Sequence, residues 1–487
     1  MNLMRIVVAP AVAGLVGVVL ATVPGAGAAP GEGPEPVQQA PSGGSMSGGD
    51  PYFPLDGNGG YDVLHYRIAT TYRPGPDRLT GRTVLSAVAH KKLTRFHLDL
   101  ALTPDSVQVD GVSARFSKPR SHELRVVPSR ALEEGTEFRV RVEYHGRPAA
   151  TRAAGLSPFF HAPGEGLALG EPQIGPWWFA ANETPKDKAT YDISVRVPKG
   201  REAVSNGELV SRSTKGGWTT WRWEMTDPMV SYLAFFLAGD LQLRHGKADG
   251  RPYVYAVSER LGAAAREQSF DLLAETPEIV SWLEGHFGEY PFTSTGGVVA
   301  GIDNLDFALE NASRPVYPYV GGPSTWNVLL LVHEQAHQWF GDDVSLRRWR
   351  DLWLNEGFAT YAEWLYAEEH GGSTVDQELE GGYGSRSPSS SFWDVQVSDP
   401  GADDMWGDAV YQRGGMMLAA LRNRIGAEEH SELLRRWVAE RREGHGTGTA
   451  FRTLAETVSG EELGAFFAEW LDETNRPDHT TANGFRS

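Results

Sequence analysis

The sequence predicts a multidomain α+β protein, in which an N-terminal all-β sandwich precedes a mainly helical domain with a small sheet. Between residues 61 and 244, short runs of alternating apolar and polar side chains are separated by Gly and Pro turns, a pattern typical of sandwich strands. From about Ala263 onward, apolar residues recur at helical spacing instead. A chain of 487 residues is also too long for one domain.

The sandwich is assigned to residues 51–247. Its clearest strand patterns are the alternating runs 63–68, 138–142 and 191–197. The pair Asp110-Gly111 lies between two further short alternating runs. Because both residue types tolerate a positive φ, this pair predicts a tight hairpin turn.

The helical domain is assigned to residues 248–475, and residues 476–487 are expected to be a flexible tail. Apolar residues between Leu272 and Leu283 predict a pair of amphipathic helices interrupted at Pro277. Residues 306–311 then predict a short edge strand ahead of the next helix.

The first 28 residues have the pattern of a secretory signal peptide. Arg5 supplies a positive charge, residues 6–23 are uncharged and mostly apolar, and Ala26-Gly27-Ala28 fits a cleavage site. A single membrane anchor is the alternative, which Pro10 and the cleavage site disfavour. Residues 29–50, rich in Gly, Pro, Ser and Gln, predict a disordered linker. We therefore expect a secreted, extracellular protein without stable membrane association after signal removal.

The net charge of −18 and the absence of cysteine narrow the possible functions. Acidic residues outnumber basic ones by 63 to 45, which excludes the basic footprint of a nucleic-acid-binding protein. Without cysteine, the chain has no disulfide, no thiolate nucleophile and no cysteine-ligated zinc site. A secreted protein without cysteine is more typical of bacteria. We expect a monomer.

Two histidines four residues apart, His333 and His337, carry the strongest chemical signal. On a helix this spacing places both imidazoles on one face, where they can reach one metal ion with Glu334 beside it. Glu356 follows after an interval long enough to start a second helix and can supply a third ligand. Two imidazoles and one carboxylate leave the fourth position of Zn²⁺ open for water, which is the arrangement of catalytic rather than structural sites.

The residues around this motif predict two helices. Ser324 can cap a helix that continues through the motif and ends at Gly341, and a second helical pattern runs from about Leu352 to Glu369. Burying two histidines and a glutamate in such apolar helices without a partner is costly. The surroundings therefore argue against a chance match of the motif.

The class of zinc peptidase can be separated by residue. The metzincin pattern is excluded, because Phe340 and Asp343 stand where it requires glycine and a third histidine. The His-Glu-x-x-His motif, its 18-residue interval and the run Asn355-Glu356-Gly357-Phe358-Ala359 instead resemble the gluzincin aminopeptidases, the family of aminopeptidase N and leukotriene A4 hydrolase. The resemblance covers residues 61 to about 472. It implies a thermolysin-like catalytic domain behind the sandwich, with one Zn²⁺ per chain.

The resemblance also implies how a substrate is bound. In the family, the glutamate of a Gly-x-Met-Glu-Asn segment binds the free α-amino group of the substrate. Glu310 and Asn311 match this segment, whereas Phe307 and Leu309 replace its glycine and methionine. We therefore expect Glu310 and Asn311 to lie in the substrate-binding site.

Two further family residues have counterparts in this chain. A tyrosine in a Tyr-x-Lys-Gly segment hydrogen-bonds the developing oxyanion, and Tyr411 matches it, with Arg413 in place of lysine. A Gln or Glu from the sandwich completes the amine site. Glu171 is the candidate for that role, and Gln173 is the alternative.

The function implied is a secreted zinc metallo-aminopeptidase that hydrolyses the N-terminal bond of peptides with a free N-terminus. Glu334 would serve as general base and then acid. Glu363, two turns after Glu356, is a candidate to orient a zinc-bound histidine, with a solvated helix glutamate as the alternative. Few residues follow Tyr411, so we expect no large C-terminal helical domain and an open cleft that accepts longer peptides.

Two other functions stay open on the sequence alone. A secreted thermolysin-like zinc endopeptidase would share the metal ligands and the base, but it would cleave N-blocked peptides and would not depend on Glu310. A binding protein that retains the fold without turnover is the second alternative.

Overall fold

The structure, a computed structural model, describes residues 43–486. The predicted signal peptide, residues 1–28, and the first part of the predicted linker lie outside the described residues. Across residues 43–486, no helix is both long enough and apolar enough to cross a membrane.

The N-terminal half is built from the strands of one large and two smaller sheets. Its strands are β1 Tyr61–Arg73, β2 Arg78–Ala89, β3 Phe96–Asp99, β4 Thr103–Val109, β5 Val112–Ser113, β6 Arg115–Ser117, β7 Glu123–Val127, β8 Glu137–Gly146, β9 Phe159–Ala162, β10 Glu165–Ala168, β11 Lys188–Pro198, β12 Glu202–Ser205, β13 Glu208–Lys215, β14 Trp218–Val230 and β15 Phe236–Gly239. The large sheet has the order β13-β14-β11-β1-β2-β8-β4-β5, and the smaller sheets have the orders β12-β15-β10-β9 and β3-β7-β6.

Alternation along the strands places one face of the large sheet in the core. In β1, Tyr66 and Ile68 are buried, whereas Arg67 between them is exposed. Tyr72 of β1 meets Phe236 of β15 with ring centroids 5.5 Å apart, so the large sheet packs against a smaller one. The prediction of an N-terminal sandwich is confirmed.

The C-terminal half is mainly helical, as predicted, and contains a small mixed sheet. Its strands are β16 Leu241–Ala248, β17 Arg251–Ser258, β18 Thr295–Val299, β19 Val316–Tyr317, β20 Ser345–Leu346 and β21 His445–Gly446. Its helices are α1 Ala263–Leu273, α2 Thr276–Phe287, α3 Thr325–Ala336, α4 Trp353–Glu369, α5 Val375–Gly384, α6 Asp408–Ile425, α7 Ala427–Arg441, α8 Gly448–Ser459 and α9 Gly464–Phe467. The sheet has the order β16-β17-β18-β19.

Two local predictions from turn-forming residues are confirmed. Asp110 and Gly111 connect β4 to β5 with φ angles of 51° and 79°, as a tight hairpin turn requires. Pro277 lies in the first turn of α2, where its missing N–H costs no helical hydrogen bond, and it separates α2 from α1.

The predicted domain boundary at residue 247 and the predicted edge strand over residues 306–311 differ from the structure. The boundary cuts the hairpin of β16 and β17, which pair along their whole length, so β16 belongs to the sheet of the C-terminal half. The edge strand is reduced to one bridge between Leu309 and Val316. A turn closed by a hydrogen bond from Arg314 N to Asn311 O (2.8 Å) reverses the chain directly after Leu309.

The predicted disordered linker is wrong for residues 43–50. The amide of Gly44 donates to the carbonyl of Arg95 (2.9 Å), and Ser45 forms an antiparallel bridge with Gly59. The ammonium of Lys186 donates to the carbonyl of Gly48. Backbone groups of this segment are therefore satisfied by the sandwich, a long-range contact that polar composition does not reveal.

The flexible tail predicted for residues 476–487 is wrong as far as residue 486. Tyr383 donates from its hydroxyl to the carbonyl of Pro477 (2.8 Å), and the guanidinium of Arg476 lies 3.7 Å from the centroid of the Tyr383 ring. Phe485 is only 2% exposed and packs between the rings of Tyr383 (4.7 Å) and Trp470 (5.8 Å). One buried aromatic side chain thus fixes the position of an otherwise polar segment.

We predict that Phe485→Ala lowers the free energy of unfolding by about 3–5 kcal/mol, because it removes a buried ring and leaves a cavity. Denaturant unfolding followed by circular dichroism measures the change. Phe116, which is 39% exposed, is the matched control. Its replacement by alanine should change the unfolding free energy by less than about 0.5 kcal/mol. Equal midpoints for the Phe485 variant and the parent would contradict the packing of the tail.

A cluster of buried carboxyl groups lies inside the sandwich. Asp99 and Glu123 face each other across the β3–β7 pair, and Asp56 and Glu183 lie close by. Burial, followed by the nearby Glu183, raises the pKa of Asp56 to about 8. Burial also raises the pKa of Glu123 to about 8 and that of Glu183 to about 7. These groups hold protons at a pH where exposed carboxyls are ionised.

Stability should therefore fall as the pH rises through this cluster. Between about pH 4 and pH 8 the folded protein keeps these protons and the unfolded chain releases them, so the free energy of unfolding decreases. We predict that Glu123→Gln weakens this decrease, because glutamine cannot ionise. The Tm of the variant minus that of wild type should therefore be larger at pH 8 than at pH 5. The exposed Glu134→Gln serves as the control and should shift Tm equally at both values. The same Tm difference between Glu123→Gln and wild type at pH 5 and at pH 8 would contradict the prediction.

Candidate active site

Helices α3 and α4 pack together and carry the histidine and glutamate residues that the sequence singled out. The hydroxyl of Ser324 caps α3 by accepting from the Asn327 amide (3.3 Å), as predicted. The helix ends at Ala336, earlier than the predicted Gly341, but His337 keeps helical backbone angles and so stays on the face of His333. Glu356 approaches from the first turn of α4.

The three predicted metal ligands converge on one point. Each of His333, His337 and Glu356 offers one ligand atom, and these atoms lie within 4.8 Å of one another. Glu356 Oε2 lies 3.3 Å from His333 Nε2 and 3.4 Å from His337 Nε2. The three side chains are largely buried.

The outer nitrogens of both imidazoles are held by other groups. His333 Nδ1 is 2.6 Å from Glu363 Oε1, so the predicted orienting role of Glu363 is consistent with a direct contact. His337 Nδ1 lies 3.0 Å from the carbonyl oxygen of Phe340. Because both acceptors fix Nδ1 as the protonated nitrogen, both Nε2 atoms can ligate a metal. Two imidazole nitrogens and a carboxylate oxygen suit Zn²⁺.

The electrostatics of this cluster also favour a cation. Burial opposes a charge on the histidines, but the Glu356 carboxylate outweighs it and raises the pKa of His337 to about 9. Burial likewise opposes ionisation of Glu356, yet the charge of His337 and hydrogen bonds from both imidazoles lower its pKa to about 2. A dication at these atoms would replace the histidine protons.

Glu334 lies beside the ligand set on the buried side of α3. Its carboxylate, that of Glu310 and a nitrogen of His337 lie within 4.8 Å of one another. Burial raises the pKa of Glu334 to about 8, against the opposing effect of the two histidines. Glu334 therefore lies where it can exchange a proton with a molecule bound between it and the ligands.

Glu310 is held in place through its backbone, which leaves its carboxylate free. Gln338 donates from Nε2 to the carbonyl of Glu310 (2.8 Å), and Leu309 forms the bridge to Val316. Asn311 is fully buried, and its Nδ2 donates to the carbonyl of Leu233 (2.9 Å) in the sandwich half. Glu310 Oε1 is buried without a hydrogen-bond partner among the described residues. Asn311 thus ties the segment to the other domain, while Glu310 retains acceptor capacity.

Glu171 reaches the same place from the sandwich. Burial, followed by the nearby Glu310 and Glu356, raises its pKa well above the usual range. Its Oε1 is buried and, within residues 43–486, lacks a hydrogen-bond partner. Gln173, the alternative, turns away and donates from Nε2 to Asp56. Of the two candidates, Glu171 is the one beside Glu310.

Tyr411 lies in the first turn of α6, with its ring parallel to that of His333 at 6.2 Å and 14°. Burial and the surrounding carboxylates raise the pKa of Tyr411 well above its usual value, so the phenol keeps its proton. Three residues later, Gly414 touches Gly357 of α4: a Cβ built on Gly357 would lie 2.9 Å from the Cα of Gly414. This backbone contact sets how closely α6 approaches α4.

Arg413, which stands where the family has lysine, does not reach the metal ligands. Its guanidinium is fully buried and donates to backbone carbonyls around Trp393 and in the segment Glu469–Asn475. Phe307, another departure from the family pattern, packs its ring 5.9 Å from that of Phe160 in the sandwich. Both departures serve packing rather than the reactive groups.

Sequence reasoning missed several groups that surround Glu171 and Glu310. The buried Tyr232 lies near both carboxylates. Burial raises the pKa of Tyr232 most, and the two carboxylates raise it further. The fully buried carboxylate of Asp342 also lies near Glu310. Lys188 of β11 donates to the carbonyl oxygens of Asp342 (2.8 Å) and Asp343 (2.6 Å). None of these residues belongs to a motif with a fixed spacing. Their position near Glu171 and Glu310 therefore could not be predicted from the local sequence.

Comparison with known proteins agrees with this geometry. Residues 323–470 match the peptidase family M1 domain, and residues 86–233 match the peptidase M1 N-terminal domain. Aminopeptidase N of Lactococcus lactis subsp. lactis is 26% identical over 405 residues, which cover 77% of this chain and 47% of that protein. Aminopeptidase N of Acetobacter pasteurianus is 34% identical over 197 residues, which cover 38% of this chain and 54% of that protein. The chain thus spans about half the length of these relatives.

Solved structures extend the similarity over most of the chain. An M1 zinc metallopeptidase from Deinococcus radiodurans matches with a TM-score of 0.80 and 28% identity, covering 89% of this chain and 98% of that one. A point mutant of an M1 zinc metallopeptidase from the same organism, bound to a Tyr-Ser-Ala substrate, matches with a TM-score of 0.79 and 28% identity, covering 89% and 99%. Since both halves match models of one family and the fold is shared with its zinc metallopeptidases, the protein belongs to peptidase family M1.

Proposed function

We propose that the protein is a zinc metallo-aminopeptidase that hydrolyses the N-terminal peptide bond of peptides. The observation that carries this proposal is the position of Glu310 and Glu171. Both carboxylates lie next to the metal-ligand set, and each has a buried oxygen without a partner among the described residues. Two such carboxyl groups, which ionise when a cation lies beside them, suit the ammonium group of a peptide N-terminus. The relatives named aminopeptidase N support the same activity.

His333, His337 and Glu356 would hold the zinc ion. When bound there, zinc supplies Lewis acidity toward the scissile carbonyl and toward water. Glu363 and the Phe340 carbonyl keep both imidazoles in the tautomer that presents Nε2.

Glu334 and Tyr411 would move and stabilise charge during hydrolysis. Glu334 accepts a proton from the attacking water and returns it to the leaving amine. Tyr411, whose phenol keeps its proton, donates a hydrogen bond to the oxygen of the scissile carbonyl as negative charge develops. This contact is strongest in the transition state, so its loss lowers kcat.

The amine contacts explain why cleavage would be confined to the first peptide bond of each bound peptide. An ammonium bound between Glu310 and Glu171 fixes the first peptide bond of the substrate over the metal ligands. A blocked N-terminus would leave the two buried carboxylates unpaired, which is energetically costly.

We also propose that the protein is secreted. The support is the charged start, apolar run and small-residue cleavage pattern within residues 1–28. N-terminal sequencing of the protein recovered from culture medium tests this proposal. A mature chain starting at Ala29 is the expected result, and protein found solely in the cell pellet would overturn it.

We predict that Glu334→Gln lowers kcat by about 10²- to 10⁴-fold, because the variant cannot accept a proton from water. Steady-state hydrolysis of amino-acyl fluorogenic amides measures the loss, and elemental analysis should find one zinc per chain in both proteins. The exposed Glu428→Gln is the control and should leave kcat unchanged. A Glu334→Gln variant that retains full activity, or that loses its zinc, would contradict the assigned role.

We predict that free-amine amides are cleaved and their N-acetylated copies are not. Glu310→Gln should raise KM for the free-amine substrates by about 10- to 100-fold, since it removes one charge from the ammonium contact. Comparable cleavage of the acetylated copies would overturn the amine anchor and favour an endopeptidase. Zinc-loaded protein that cleaves neither series would favour a binding protein.

A further inference from the structure

The segment of residues 50–56, here called the N-terminal strap, crosses from the sandwich onto the helical half. Asp50 Oδ2 accepts a hydrogen bond from the amide of Trp349 (2.9 Å), at the start of the 3₁₀ turn before α4. The hydroxyl of Tyr52 donates to Asp399 and accepts from the amide of Gly401 (2.8 Å). The strap is therefore attached to the helical half at two separate places.

Phe53 sits between two tryptophans that border the amine site. Its ring centroid lies 6.0 Å from that of Trp349 and 6.4 Å from that of Trp406. Trp349 in turn packs against Tyr232, with ring centroids 5.2 Å apart. The Phe53–Trp349 pair is edge-to-face and the other two pairs are tilted, and such contacts favour fixed ring orientations.

Two aromatic side chains and one residue of the strap connect this region to Glu171. The Trp406 side chain and the Tyr232 phenol both lie close enough to the Glu171 carboxylate to affect its ionisation or to be affected by it. At the end of the strap, Asp56 accepts a hydrogen bond from Gln173, two residues after Glu171. The strap thus contacts both the side chains around Glu171 and the loop that carries it.

We propose that the N-terminal strap, with Phe53 at its centre, positions Glu171 for binding the substrate ammonium, an inference that rests on the proposed aminopeptidase function. Phe53 holds Trp406 and Trp349 in place, and these residues fix the surroundings of the Glu171 carboxylate.

The proposal predicts a specific kinetic pattern. The ammonium contact exists in both the bound substrate and the transition state, so loosening it raises KM and leaves kcat nearly unchanged. We predict that Phe53→Ala raises KM for free-amine substrates about tenfold, within the coupling range of contacting residues. Phe53→Tyr, which keeps the ring, should restore KM to within about twofold of wild type. Phe485→Ala, which removes a buried ring packed against Tyr383 and Trp470, is the control for a general loss of stability and should leave KM unchanged.

A binding measurement separates this proposal from the proposed function. In the full-length Glu334→Gln background, calorimetry with Tyr-Ser-Ala and its N-acetylated copy reports amine recognition without turnover. The parent is expected to bind the free-amine peptide more tightly than the acetylated copy. Adding Phe53→Ala should weaken the affinity for the free-amine peptide about tenfold. When Glu171→Gln is already present, Phe53→Ala should weaken that affinity by less than a further factor of about two. An unchanged affinity in Phe53→Ala, or a loss that simply adds to that of Glu171→Gln, overturns the positioning role and leaves the aminopeptidase function standing. No preference for the free amine in the parent overturns both.

Discussion

The geometry of the active site depends on the contact between Gly357 and Gly414. A Cβ at either position would lie 2.9 Å from the Cα of the other glycine, a separation that side chains do not tolerate. Glu356 directly precedes Gly357 on α4, and Tyr411 lies one turn before Gly414 on α6. Close approach of the two helix backbones therefore brings the third metal ligand and the phenol to the same point. Any larger residue at this crossing would separate them.

Around this crossing the site accumulates buried negative charge. Glu171, Glu310, Glu334, Glu356 and Asp342 influence one another's ionisation, and burial disfavours a charge on each. The two metal-binding histidines and Lys188 offset part of this charge. A dication would offset more, as would the proposed substrate ammonium, so the buried carboxyl groups that lower stability also favour cation binding. Local stability is therefore lower at the same groups that favour cation binding.

The sequence predicted the metal-ligand cluster far better than it predicted residues 43–50 and 476–486. Helical periodicity and capping placed α3 and α4, apart from the earlier end of α3 at Ala336, and the spacing of His333, His337 and Glu356 on and next to these helices determines their convergence. Phe485 and Asp50, in contrast, are not part of any helical or strand periodicity in the sequence. Asp50 bonds a partner 299 residues away, and the burial of Phe485 follows from rings on α5 and near α9. Composition favoured disorder in both segments because local sequence holds no record of distant contacts.

The same distinction explains why the proposed amine site was harder to predict than the metal-ligand cluster. Its two carboxylates come from different domains, so their separation depends on how the sandwich packs against the helical half. Asn206 of the sandwich donates to the carbonyl of Ala312 (3.0 Å), and the buried guanidinium of Arg314 donates to the carbonyls of Ser205 and Gly207. These bonds fix the loop after Glu310 against β12, and Asn311 adds another to Leu233. The proposed recognition of a free N-terminus would thus depend on the domain interface, whereas the metal-ligand cluster depends on two helices.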